Sequence, residues 1–196
     1  MEALVVVAAV ADEFAAKLAA KVQTMVCGDP REGTTPLGAV VDMGTVERVN
    51  RLIDDAVGKG AELLCGGKAE SVLMPATLLD GVTEEMQLYR DESFGPVVSM
   101  IRAKDEADAI RIANDSEYGL SAAVFTRDSA RGLQVARQIH SGICHVNGPT
   151  VADEAQMPFG GVGSSGYGRF GGKAGIDSFT ELRWITVASQ RGHYPI

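Results

Sequence analysis

A carboxylate and an aromatic ring stand two positions apart in Glu92-Ser93-Phe94-Gly95-Pro96, just before an apolar run. At that spacing in extended chain both side chains point to one side, into one crevice at a strand end, which is where open α/β sheets place their ligands. Taken alone, a turn with a solvated Glu92 and a core Phe94 accounts for the pattern better. A second candidate is Pro158-Phe159-Gly160-Gly161, followed by Gly163, Gly166 and Gly168. It is no P-loop, because no Lys follows in register and no clear helix opens behind it. It also lacks the preceding strand and the following acidic residue of a dinucleotide fingerprint. A tight loop packed close to another backbone is the better reading. Cys144 and His145 are neighbours in a strand pattern, so they point to opposite faces and cannot act together as nucleophile and base. A buried, inert Cys144 is the expectation. Cys27, Cys65 and Cys144 form no C-x-x-C pair, and His140, His145 and His193 show no helical ligand spacing, so no metal site is expected. Three scattered cysteines suggest free thiols in a reducing cytoplasm.

The elements that must position these residues alternate between strand and helix. Leu4 to Val7 reads as a strand. Asp12 to Met25 reads as a helix with Phe14, Leu18 and Val22 on one stripe. Thr45 reads as the N-cap of a second helix carrying Val46, Val49, Leu52, Ile53, Ala56 and Val57. Strands are expected over Ala61 to Cys65, Met74 to Leu79, Val97 to Arg102, Ala122 to Phe125 and Ile143 to Val146. Val97 to Arg102 is apolar at both parities, which predicts burial on both faces. Helices are expected over Asp105 to Asn114, with Ala109, Ile110 and Ala113 inward, and over Ser129 to Ile139. This order predicts an α/β fold with a mainly parallel sheet and flanking helices. Gly148 to Gly175 is rich in Gly, Ser and Pro and reads as a long loop. Such a stretch is usually functional or runs along a partner. Phe179 to Val187 then alternates like a strand with two differently lined faces, suited to pairing away from the main sheet, including with another subunit.

The totals fit a globular chain: 196 residues, 45% hydrophobic and 22% charged. A net charge of -8 argues against nucleic acid and against anionic membranes, both of which require a basic patch. No apolar run reaches the ~18 residues of a membrane span.

In their order, several stretches resemble the aldehyde dehydrogenase superfamily: Gly28-Asp29-Pro30, GAELLCGG over 60–67, ESFGP over 92–96, ANDSEYGLSAAVF over 113–125, GICHVN over 142–147 and PFGG over 158–161. EAQMPFGG, SGYGRFGG, IDSFTELRWITV and a final HYPI are similar to the bacterial dehydrogenases for salicylaldehyde and related aromatic aldehydes. The resemblance implies the C-terminal part of that catalytic fold, N-terminally truncated relative to the family. Residues 1–175 would form the catalytic-type domain, and 176–196 an oligomerisation strand and tail. It implies NAD or NADP as cofactor, with Glu92 on the nicotinamide ribose and Phe94 near the nicotinamide ring. Phe159 would border the aldehyde pocket, and Asn147 would support the active-site loop. An aromatic aldehyde would be the substrate, and a homo-oligomer would form through Phe179 to Val187.

The departures are as specific. The family's G-Q-x-C nucleophile motif, its E-L-G-G base, its oxyanion Asn and its dinucleotide domain have no counterpart in residues 1–196, and Gly163 and Ala39 replace a usual Lys and Pro. The family's reaction passes through a thiohemiacetal on that cysteine. Weak cofactor binding is therefore expected. Three readings remain: oxidation by a substitute route using Cys144, Glu92 or Glu154; an oligomerising fragment with little turnover; and a promiscuous esterase.

Overall fold

The computed structural model describes residues 3–190 together with Gly192 and His193. Met1, Glu2 and most of the HYPI motif lie outside the described residues.

Strand β1 (Ala3–Val7) passes directly into helix α1 (Ala8–Val22). Helix α2 (Met43–Gly58) leads to β2 (Glu62–Cys65) and β3 (Thr77–Asp80). A single turn of helix, α3 (Gln87–Arg90), precedes β4 (Val97–Ala103), which is followed by α4 (Glu106–Asn114). Then come β5 (Tyr118–Gly119), β6 (Ser121–Val124), α5 (Ser129–Ala136), β7 (Ile143–Val146), β8 (Val162–Gly163) and α6 (Gly172–Ser178).

β1, β4, β3 and β2 form one sheet in that order. β1 and β3 run parallel to β4, while β2 pairs antiparallel with β3 and slips register between Leu63 and Cys65. The expected mainly parallel sheet is thus a mixed one with an antiparallel edge. β6 and β7 form a separate parallel pair, and β5 pairs antiparallel with β8. Alternation along the strands divides the core. Leu79, Val97 and Ile101 face α2 through Val49, Leu52, Ile53 and Ala56. Val6, Leu78 and Met100 lie on the other side with Ala11 and Ala15 of α1. Helices on both faces of a sheet are the layered solution for strands that are apolar at both parities.

Several local expectations change. Asp42, not Thr45, caps α2, its Oδ1 accepting from Thr45 N at 2.7 Å. A carboxylate there also complements the helix dipole, which a hydroxyl does not. On α1 the inward stripe begins at Ala11 and Ala15 and continues through Leu18 and Val22 as expected, while Phe14 falls outside it and is 39% exposed. On α4 the fully buried residue is Ile112, and Ala109, Ile110 and Ala113 are half-buried. Val98 and Arg102 of β4 are exposed, so its second face is only partly covered. α5 stops at Ala136, three residues early, where the chain turns toward β7. Short elements interrupt the expected 148–175 loop, and α6 runs across position 175.

Phe179 to Val187 forms no strand in the single chain. Leu182, Trp184 and Val187 are almost fully exposed. A strand exists only with a partner for its backbone, and no described edge of the same chain meets it.

Candidate functional site

Glu92 to Pro96 forms the turn between α3 and β4. It lies at the amino end of β4, where Thr77 N donates to Pro96 O at 2.8 Å. The parallel strands thus present the turn at the end opposite to the usual ligand crevice of open sheets. Phe94 takes φ 45° and is 68% exposed, so the core-Phe reading is wrong. A positive φ at a bulky residue is strained, and such strain persists only where surrounding contacts hold it. Arg48 of α2 supplies some of them. Its Nη1 donates to Glu92 O at 3.1 Å, and its guanidinium lies 6.0 Å from the centre of the Phe94 ring. The Glu92 side chain is half-buried, and among the described residues no hydrogen bond or ion pair engages its carboxylate. A half-buried acceptor left open is suited to a ligand's hydroxyl groups.

The PFGG loop is built from main chain. Phe159 and Phe170 exchange backbone hydrogen bonds of 2.8 and 2.7 Å. Gly160 lies so close to Gly142 that a Cβ on Gly142 would collide with Gly160 O. The loop is therefore packed tightly on another backbone, as its glycines predict. β8, with Gly163 at φ 60°, pairs with Tyr118 and Gly119 and ties the loop to the YGL segment. Phe159 is 37% exposed.

Asn147 sits at the far end of β7. Its φ is 59°, in a region that Asn tolerates, and its Oδ1 accepts from Thr126 N at 2.9 Å. Five extended residues, roughly 16 Å, separate Asn147 from the Gly142 contact beside Phe159. The structure thus places Asn147 and the Phe159 loop at opposite ends of one strand. Asn147 bridges the ends of β6 and β7, and Phe159 stands at the start of β7.

Cys144 shares its face of β7 with Val146, which packs on Gly132 of α5, so its thiol is directed at α5. Burial pushes the Cys144 thiol pKa up, favouring the unreactive neutral form. Cys27, Cys65 and Cys144 are all free thiols. Glu154 lies on an exposed turn, where its carbonyl accepts from Met157 N at 2.8 Å. Among the described residues no cluster of His, Cys, Asp or Glu is arranged to hold a metal, and no helix is long and apolar enough to cross a membrane.

Two features are not evident from the sequence pattern. Arg48 reads there as a charge on a solvated helix face. Tyr118 was visible only as part of YGL, yet its pKa is raised first by Glu117, then by burial, then by Glu92 and Asp91. The Glu92 turn and the Tyr118 strand therefore share one electrostatic neighbourhood.

The chain belongs to the aldehyde dehydrogenase family, whose model matches residues 1–185. It is 57% identical to a vanillin dehydrogenase of Pseudomonas fluorescens over all of its own length and 40% of that protein's. It is 49% identical to a salicylaldehyde dehydrogenase of Pseudomonas putida, covering 99% of this chain and 40% of the relative. The crystal structure of a salicylaldehyde dehydrogenase from Pseudomonas putida G7 complexed with salicylaldehyde superposes with a TM-score of 0.92 at 49% identity, over 100% of this chain and 40% of that one. An aldehyde dehydrogenase of Mycobacterium tuberculosis complexed with NAD+ superposes at 0.86 and 32% identity, over 92% of this chain and 38% of that one. The chain thus spans about two-fifths of the length of these relatives.

Proposed function

We propose that this chain contributes the nicotinamide-facing carboxylate and one wall of the aldehyde pocket to NAD(P)-dependent oxidation of an aromatic aldehyde such as salicylaldehyde. The observation that carries this reading is the half-buried Glu92, whose carboxylate is hydrogen-bonded to no described residue, beside the exposed Phe94 on a turn held by Arg48. Glu92 would accept hydrogen bonds from the ribose, and Phe94 would lie against the nicotinamide. The cofactor, when bound, supplies the hydride acceptor. Phe159 gives an apolar border for an aromatic ring, and Asn147 keeps the stem of the 148–157 loop in place through Thr126.

The fit extends to the nicotinamide half only. Asp42, Asp105 and Asp128 already occupy the N-termini of α2, α4 and α5, and a carboxylate there repels a pyrophosphate. Residues 1–196 by themselves are therefore expected to bind NAD(P) weakly. Residues 1–175 make up the catalytic-type domain in this reading, and 176–196 the oligomerising segment. The free thiols fit a reducing cytoplasm.

The test is NADH formation from salicylaldehyde and vanillin by the purified chain, together with NAD+ binding by saturation-transfer NMR. Glu92→Gln is expected to weaken NAD+ binding about tenfold or more, the loss of one charged acceptor. Unchanged binding would overturn the assignment of Glu92. A second reading is an oligomerising chain with little turnover. It is favoured by the exposed apolar Phe179 to Val187 segment. An oligomer that forms no NADH supports it.

A further inference from the structure

Three parts of the candidate site meet on four consecutive residues at the end of α4. Asn114 holds the turn that feeds β7: its Nδ2 donates to Gln138 O and its Oδ1 accepts from His140 N, both at 2.8 Å. Asp115 holds α3, the helical turn that leads into Glu92. Its Oδ2 accepts from the Tyr89 hydroxyl at 2.9 Å, and its Oδ1 from Arg90 Nη1 at 3.0 Å. Glu117 holds the PFGG loop, accepting from Ser164 N at 2.8 Å on its carbonyl and from Ser164 Oγ at 2.7 Å on its carboxylate.

The Tyr89 link is the buried one of the two side-chain bonds from α3 to Asp115, the Arg90 side chain being half exposed. α3 is four residues long, too short to be stable by itself. Tyr89 is 3% exposed, so its ring is fixed in the core and its hydroxyl can reach only what the fold offers. It opens on a small hollow of about 100 Å³ lined by Tyr89, Arg90, Asp115, Ser116 and Glu117. Beyond α3, the hydrogen bond from Arg48 to Glu92 O restrains the turn from the α2 side, and that from Thr77 N to Pro96 O ties its end to β3.

We propose that Tyr89 and Asp115 are positioning residues, a clasp that sets the Glu92 turn at a fixed offset from the Phe159 loop so that the two sides of the site move as one body. The functional half of this inference rests on the reading of Glu92 as the ribose acceptor; the mechanical half does not.

The experiment compares the full chain with Tyr89→Phe, Asp115→Asn and Glu92→Gln, by amide hydrogen exchange and by NAD+ saturation-transfer NMR. Tyr89→Phe removes one hydroxyl and should raise exchange over 91–96 about tenfold while β4 stays protected. NAD+ binding should weaken in step. Asp115→Asn keeps an acceptor for the phenol and should recover most of that protection, which a general packing defect would not show. Unchanged exchange over 91–96, or a rise spread equally over α2, β3 and β4, overturns the clasp. If Tyr89→Phe does not fold, Asp115→Asn carries the same comparison, with a smaller rise confined to 91–96 expected. If Glu92→Gln leaves binding intact, or the unaltered chain shows none, the reading of Glu92 fails, and the exchange pattern still decides the clasp.

Discussion

At the scale of single residues, charge and burial separate groups that the sequence left together. Cys144 was the nearest thiol to the family's site motifs, but it is directed at α5 and burial raises its pKa. Cys144→Ser is therefore expected to change any aldehyde oxidation by less than about tenfold. Loss of all NADH formation with an intact circular dichroism spectrum would show that the thiol does react. The same thiol is a poor candidate for esterase chemistry. Tyr89 gives a second, pH-dependent expectation. Burial, and then its hydrogen bond to Asp115, push its pKa up to about 12. The ordinary tyrosine value is about 10, so the unfolded chain releases this proton first. The contribution is complete below pH ~10 and is lost as pH rises from there through about 12. Asp115 behaves in the opposite sense. Its pKa is lowered, mainly by Arg90, so its contribution is present above the unfolded value of about 3.9 and is lost as pH falls through the folded one. Urea unfolding at pH 9, 10, 11 and 12 should show a fall in midpoint that Tyr89→Phe reduces, and an equal fall in the variant would contradict the assignment. The inert Cys144 was legible in its apolar strand neighbours, whereas the Tyr89–Asp115 pairing was not, because the two lie 26 positions apart and no motif spacing links them.

At the scale of elements, the strands and helices were legible where apolar periodicity was strong. β4 and α2 fall within a few residues of their expected bounds, since Val97 to Ile101 and the Val49, Leu52, Ile53, Ala56 stripe leave little choice of period. What the pattern did not encode was direction and distance. Thr45 and Asp42 are both good caps, and only the backbone turn decides between them. Nor could spacing say that the Glu92 turn lies at the amino end of β4, or that Asn147 and Phe159 flank opposite ends of β7. The Gly-rich loop, by contrast, was read for its cause: close backbone approach. Gly142→Ala tests this, because its Cβ would collide with Gly160 O. It is expected to cost about 1–3 kcal/mol, the usual range for overpacking, measured as a drop in the urea midpoint at constant slope. A variant as stable as the original would show that the loop yields easily.

At the scale of the whole molecule, the sequence made Phe179 to Val187 a strand, whereas in the single chain Phe179 ends α6 and 180–187 pair with no described strand. Alternation fixes which side chains share a face, but a strand is defined by its neighbour, and that neighbour is not among the described residues of this chain. Exposed Phe179, Leu182, Trp184 and Val187 are of the type that an association surface would use. Light scattering at micromolar concentration is expected to give a dimer or larger. Deleting residues 176–196 should abolish that state or cause aggregation; a clean monomer before deletion would contradict the assignment. The close approach of Gly142 to Gly160 carries a different consequence. The Phe159 loop is positioned by backbone contacts, to which Ser164, Ser165 and Arg169 add side-chain bonds, and Phe159 itself is held through its main chain. The side chain at position 159 can therefore change while the architecture beneath it stays put, which is the freedom a pocket border needs in the function proposed above.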